Sequence, residues 1–265
     1  MLLQTISSNL DLAAFPAEIR PFLSGVKLYG SSCSPNAKVI FIDKDSGYFL
    51  KSAPAKTGLS KEFYMTGYFH KKNLAPKIIS FIPEYKGREF MLTEKMPGDY
   101  CIAEKYLEQP EKLCDTIAES LVHLHSLDCL DCPIHHTADY IRSAKHSYRR
   151  KKYDRDLLSY QQAFFSLEEA WQVIEKGGHL LKSDTLLHGD YCLPNIILDN
   201  WKFRGFIDLD SGGIGDRHVD IFWGAWTLFF NLKTDKYRNR FFDAYGRSKI
   251  DEERLRIVAA CAVFE

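Results

Sequence analysis

The sequence predicts an α+β chain in two lobes, β-rich in its N-terminal part and mainly helical after it, and three observations carry that prediction. Short apolar runs at 39–42, 48–50, 78–82 and 89–92 are separated by turn residues such as Asp45-Ser46-Gly47 and Lys86-Gly87, the pattern of hairpins in an antiparallel sheet. From about Ala103 onward the period changes, with Leu113, Ile117, Leu121 and Leu124 spaced by threes and fours as on one face of a helix. Between the two regions, Thr93-Glu94-Lys95-Met96-Pro97-Gly98 places Pro and Gly where no element can run through. The expected division is therefore 1–95 and 96–265.

Within the first lobe, Lys51 is expected to end the strand at 48–50. The stretch 60–70 reads as the one helix there, with Ser60 placed to cap it and Glu62 in its first turn. In the second lobe, 185–187, 195–198 and 203–207 read as short strands. The aromatic stretch 218–230, with Phe222, Trp223, Trp226 and Phe229, reads as a core helix rather than a ligand platform. No internal repeat and no low-complexity tract interrupts the chain.

Composition excludes more than it identifies. The 265 residues are 45% apolar and 26% charged with a net charge of zero, so bulk electrostatics point to neither nucleic acid nor membrane as a partner. The seven cysteines form an odd, scattered set without a paired framework, and no basic start and apolar segment follow Met1. These features predict a reduced, cytoplasmic protein, a monomer or weak dimer without a membrane span. Cys129, Cys132, His135 and His136 include zinc-type ligands, but four ligands crowded into eight residues lack the intervening loop of zinc folds.

Chemistry concentrates in one segment. His188-Gly189-Asp190 is followed five residues after the Asp by Asn195, and Asp208 comes thirteen residues later in Gly205-Phe206-Ile207-Asp208. Phosphoryl transfer from a nucleotide needs these parts: a carboxylate to receive the acceptor hydroxyl's proton, and oxygen ligands for a hard cation such as Mg²⁺. Asp190 on a loop between strands suits the base, with Asn195 and Asp208 as the metal ligands. In that frame an ion pair between Lys51 and Glu62 would hold an ammonium against phosphates. The turn from Gly30 through Ser31, Ser32, Cys33, Ser34 and Pro35 to Asn36 would cover them with N–H and hydroxyl groups, though no Gly-x4-Gly-Lys-Ser/Thr loop is present.

Taken together, these residues resemble the aminoglycoside phosphotransferase family, above all its 3′-phosphotransferase branch, a relative of the protein-kinase fold. The resemblance rests on His188-Gly189-Asp190 with Leu193-Pro194-Asn195, on Gly205-Phe206-Ile207-Asp208, and on Asp216-Arg217-His218-Val219-Asp220-Ile221. Ser34-Pro35, Lys51, Glu62 and Leu124-His125-Ser126 fit the earlier part, so it covers nearly the whole chain. It implies a bilobal kinase-like fold, Asp190 as catalytic base, Asn195 and Asp208 as Mg²⁺ ligands, and Lys51 with Glu62 as phosphate anchor and partner. It further implies that Ser34 contacts phosphate, that Thr93, Lys95 and Met96 border the purine of ATP or GTP, and that Asp220 supports the catalytic loop through backbone hydrogen bonds.

The acceptor side departs from that pattern. Acids that the family places before the catalytic loop and at the chain's end would answer an aminoglycoside's ammonium groups. Here those positions hold Arg155, Leu157, Tyr160, Cys261 and Ala262, and Asp210-Ser211 follows the metal-binding Asp where Gly-Arg is usual. Asp210, Asp154, Asp156 and Glu265 are the candidate replacements. The stretch 142–155 carries seven Lys or Arg against one acid; a solvated helix face is the ordinary reading, an anionic acceptor the next, and nucleic acid or membrane the remainder. The expected partners are a nucleotide and a small hydroxyl compound, with an aminoglycoside leading. A sugar, amino alcohol or nucleoside-like acceptor, or a nucleotide-binding module without transfer, are the alternatives. A metal phosphohydrolase using His188 lacks the further ligands it requires.

Overall fold

A computed structural model of the chain describes residues 4–6, 10–30, 37–56, 59–160 and 163–265. The chain divides into two compact units, Met1–Gly98 with Arg204–Asp210, and Asp99–Phe203 with Ser211–Glu265.

In the first unit the strands are β1 (Gln4–Thr5), β2 (Lys27–Gly30), β3 (Lys38–Asp43), β4 (Tyr48–Pro54), β5 (Ile78–Tyr85) and β6 (Arg88–Glu94). They form one antiparallel sheet in the order β1-β2-β3-β4-β6-β5. The β5–β6 hairpin turns on Lys86 and Gly87, both at positive φ (52° and 75°), the geometry whose twist matches the flanking strands. Two helices accompany the sheet, α1 (Arg20–Leu23) and α2 (Leu59–Lys71). Alternation along β4 and β6 separates two apolar faces. Leu50, Phe90 and Leu92 join Ile19, Leu23 and Leu28 on one, while Ala53 and Met91 meet Leu59 of α2 on the other.

Ser60 lies inside α2 and does not cap it. Buried Glu89 of β6 serves the helix start instead: its Oε2 accepts the Leu59 N–H at 3.1 Å, and its Oε1 accepts the Ser60 hydroxyl at 2.9 Å and the Lys56 N–H at 3.2 Å. An acceptor arriving from a strand 30 residues away satisfies the same exposed donors that a local side chain would.

The second unit is mainly helical: α3 (Glu104–Leu107), α4 (Pro110–His125), α5 (Thr137–Arg149), α6 (Arg155–Ser159), α7 (Leu167–Gly177), α8 (His218–Leu232), α9 (Arg238–Tyr245) and α10 (Glu252–Ala262). Short strands β7 (Asp99–Tyr100), β8 (Thr185–Leu187), β9 (Ile196–Asp199) and β11 (Gly213–Gly215) complete it, β7 pairing with β9 and β8 with β11. β10 (Lys202–Phe206) carries the chain from this unit into the segment counted with the first. In α4, Leu113, Ile117, Leu121 and Leu124 are all buried, so the three-and-four spacing marks the packed face, and Pro110 opens the helix where its missing N–H costs nothing. Asp154, Ser166 and Asp251 cap α6, α7 and α10 by accepting N–H groups of the first turn. The α8 aromatics Phe222 and Trp223 are buried. No helix among the described residues is long and apolar enough to cross a membrane.

Candidate active site

In the first unit, Lys51, Glu62 and Asp208 converge. Lys51 sits inside β4 and not at its end, because the ladder to β6 continues to Pro54. Odd positions of β4 face α2, so Lys51 shares that face with Ala53 and meets Glu62 in the helix's first turn. The Lys51 ammonium lies 2.5 Å from Glu62 Oε1 and 2.5 Å from Asp208 Oδ1. Glu62 is buried at 7% side-chain exposure, whereas Asp208 is 51% exposed. Asp208 follows β10 at a positive φ of 62°, a sparsely populated conformation for a residue with a side chain, and the segment before it is pinned by the Phe206 N–H to the Leu74 carbonyl at 2.7 Å.

One ammonium between two carboxylates leaves an excess of negative charge. Burial works against the Lys51 charge, but Glu62 and Asp208 outweigh it and hold the ammonium above its usual range. Burial, reinforced by the nearby Asp208 and Asp210 charges, raises Glu62 from 4.5 to about 7 in spite of Lys51. The folded chain therefore holds a proton on Glu62 that the unfolded chain releases at lower pH. Its contribution to stability is complete below about pH 4.5 and is lost as pH rises through about 7. A Glu62→Gln chain lacks this titration. Its denaturation free energy should gain on the wild type by on the order of 3 kcal/mol between about pH 5 and pH 8. A difference that stays constant across that range would contradict the assignment.

The strand end beyond β6 has fewer backbone donors to offer than expected. Thr93 is paired on both sides, with Phe49 and Ile78. The Glu94 N–H donates to the Lys77 carbonyl and the Lys95 N–H to the Gly47 carbonyl, both at 2.9 Å. The Met96 N–H has no hydrogen-bond partner among the described residues. Ser34 lies outside the described residues.

In the second unit, Asp190 and Asn195 are joined directly. Asn195 falls in a 3-10 turn at Leu193–Asn195, ahead of β9 and not within it, and its amide nitrogen donates to the Asp190 carboxylate at 2.8 Å and to the Asp190 carbonyl at 3.0 Å. With its NH₂ committed to Asp190, the Asn195 carbonyl oxygen is the free acceptor of that side chain.

The loop is held from behind by Asp220, fully buried in the first turn of α8. Its carboxylate accepts the His188 and Gly189 N–H groups at 2.8 Å each and faces His125 Nε2 at 3.1 Å. Gly189 is at φ +86°, and a Cβ there would lie 2.0 Å from the Ser211 carbonyl oxygen. Gly189→Ala is therefore blocked both by backbone conformation and by a backbone atom. It should cost more than about 2 kcal/mol of stability and most of any turnover, checked by thermal unfolding beside an activity assay. A variant with wild-type melting would contradict this geometry.

Of the positions where acids were expected for the acceptor, Leu157, Tyr160, Cys261 and Ala262 are buried in packing and Arg155 is exposed. Asp154 spends its carboxylate on the start of α6. Burial, reinforced by the Asp190 charge, pushes the Cys192 thiol up. In the basic stretch, Arg142 pairs with Asp139 at 2.7 Å and Arg150 contacts His146. Tyr148 stacks on Trp171 at 5.0 Å within the protein, so no free aromatic ladder accompanies these cations. Cys129 and Cys132 are buried, with their thiols toward the Asp184 and Ile134 carbonyls.

Comparison with known proteins gives a consistent set of similarities. Residues 30–258 match the model of the phosphotransferase enzyme family. A Lactococcus lactis subsp. lactis (strain IL1403) protein described as a probable aminoglycoside 3′-phosphotransferase is 48% identical over 257 residues, 97% of each chain. An aminoglycoside 3′-phosphotransferase of Niallia circulans is 28% identical over 78% of this chain and 80% of its own. Among solved structures, an aminoglycoside phosphotransferase from Streptomyces rimosus ATCC10970 superposes with a TM-score of 0.71 at 21% identity, covering 97% of this chain and all of that one, a likeness of fold.

Proposed function

The chain belongs to the phosphotransferase enzyme family, and from that membership we propose that it moves the γ-phosphoryl group of ATP or GTP to a hydroxyl of an aminoglycoside, the 3′-hydroxyl by analogy with its relatives. The observation that carries this reading is the catalytic loop itself. Asp190 and Asn195 are bonded to one another on a backbone that buried Asp220 holds in place. A carboxylate fixed in this way is oriented before the acceptor arrives, which is most of what phosphoryl transfer asks of a protein.

In this reading the first unit binds the nucleotide and the second supplies the base and the acceptor site. Lys51, kept charged by Glu62 and Asp208 together, binds the phosphates, and the free Met96 N–H is the donor offered to the purine. Asn195, with an amide oxygen without a protein partner, and Asp208, with an exposed carboxylate, are of the donor chemistry that would suit Mg²⁺. When bound, it neutralises charge on the transferring phosphates. Asp190 orients the acceptor hydroxyl and takes its proton, a contribution typically worth roughly 10²- to 10⁴-fold. Glu265 would be a candidate negative group for an ammonium-bearing acceptor.

One observation favours a second acceptor class. Leu157, Tyr160, Cys261 and Ala262 are packed where relatives are expected to use acids, so an acceptor with fewer positive charges, such as a sugar or an amino alcohol, suits the remaining site. Survival of bacteria expressing the chain separates the two. Growth on aminoglycosides that carry a 3′-hydroxyl, but not on those that lack one, and its loss with Asp190→Ala, is the expected result. Equal sensitivity of both strains to every aminoglycoside would remove the proposed acceptor.

A further inference from the structure

Behind the catalytic loop, a chain of buried hydrogen bonds runs beyond Asp220. Its first step is His125, the last residue of α4, whose Nε2 lies 3.1 Å from the Asp220 carboxylate and whose Nδ1 lies 2.9 Å from the Tyr245 hydroxyl. Tyr245 ends α9 and is 2% exposed. Donor and acceptor inventories fix the direction of every bond. A carboxylate only accepts, so His125 Nε2 donates to Asp220 and the Tyr245 hydroxyl sends its proton to Nδ1 of the neutral ring. His125 Nδ1 is then an acceptor, and the ring's proton resides on Nε2, aimed at Asp220. The Asp220 carboxylate consequently receives three donors, two of them the N–H groups that carry His188 and Gly189.

We propose that Tyr245 is a positioning residue for the transfer reaction. It holds His125 as the neutral Nε2–H tautomer that completes the anchorage of the catalytic loop by Asp220. Burial of the imidazole, together with the Arg217 and His218 charges, lowers His125's basicity and agrees with a neutral ring in spite of the facing Asp220. Tyr245 touches neither Asp190 nor Asn195 through any hydrogen bond; its effect passes through His125. Residues 125, 220 and 245 come from three separate helices, α4, α8 and α9.

The transfer arm of the test rests on the function proposed above; a second arm does not need it. Tyr245→Phe retains the ring and removes the hydroxyl, leaving His125 Nδ1 buried without a donor. The expected result is a fall in kcat of about tenfold, the usual scale for an orphaned buried group, with KM for nucleotide changed less than about twofold. Adding Tyr245→Phe to His125→Asn should cost nothing further, since the tyrosine acts through the imidazole. Independently of turnover, amide hydrogen exchange at His188 and Gly189 should quicken in Tyr245→Phe while the amides of α4 stay protected. If Tyr245→Phe does not fold, His125→Asn alone is expected to give the same two signatures. Unchanged exchange at both amides overturns the relay whether or not the wild type transfers phosphate. A wild type that transfers none, with exchange altered as described, overturns the proposed function and leaves the relay standing.

Discussion

Asp190→Ala should abolish measurable transfer while leaving nucleotide affinity within about threefold of the wild type. The carboxylate is the group proposed to receive the hydroxyl's proton, and removal of a positioned base is worth roughly 10²- to 10⁴-fold in rate. Lys51, Glu62 and Asp208 do not depend on it, since their ion pairs involve no residue of that loop. The Asn195 amide loses one acceptor and keeps the Asp190 carbonyl at 3.0 Å, so the loop's shape is expected to survive. Calorimetry with metal-bound nucleotide, run beside turnover, checks both halves. Parallel loss of affinity and rate would mean that Asp190 helps to hold the nucleotide and is not the base.

Asp220→Ala is expected to be the more damaging change for the fold. It removes a fully buried carboxylate and leaves the His188 and Gly189 N–H groups and His125 without their acceptor. Removing one partner of such a buried arrangement costs about 3 to 5 kcal/mol. At about 2 to 4 °C per kcal/mol for a domain of this size, the unfolding midpoint should fall by roughly 6 to 20 °C. Transfer should be lost with it, because the backbone that carries Asp190 is anchored there. A variant melting within about 2 °C of the wild type would mean that the carboxylate carries far less than its three partners imply.

How much of this was legible in the sequence depends on the range of the interactions involved. Asp190 with Asn195, and Lys51 with Glu62, could be paired on paper because five residues of loop, or one strand followed by one helix, leave few other arrangements. Lys51 facing α2 follows from strand alternation, although the strand runs past it to Pro54. The reading of Ser60 as a cap failed for a long-range reason: Glu89 arrives from another strand and takes the donors that local rules assign to the nearest hydroxyl. Asn195 was placed in a strand because Ile196, Ile197 and Leu198 are apolar, yet Leu193-Pro194 opens a 3-10 turn that delivers its amide to Asp190. Lys95 could not be separated from Met96 as a purine donor, since only the structure shows the Lys95 N–H committed to the Gly47 carbonyl. The relay from Tyr245 to Asp220 left no local mark, because His125 and Tyr245 meet across 120 residues.

The most direct measurement is transfer of label from γ-labelled ATP or GTP to an aminoglycoside bearing a 3′-hydroxyl, with purified chain and Mg²⁺, beside Asp190→Ala and Asp208→Asn. Labelled product from the wild type and none from either variant is the expected result. Labelled product at equal rates from all three, or release of free phosphate alone with every acceptor tried, would contradict it.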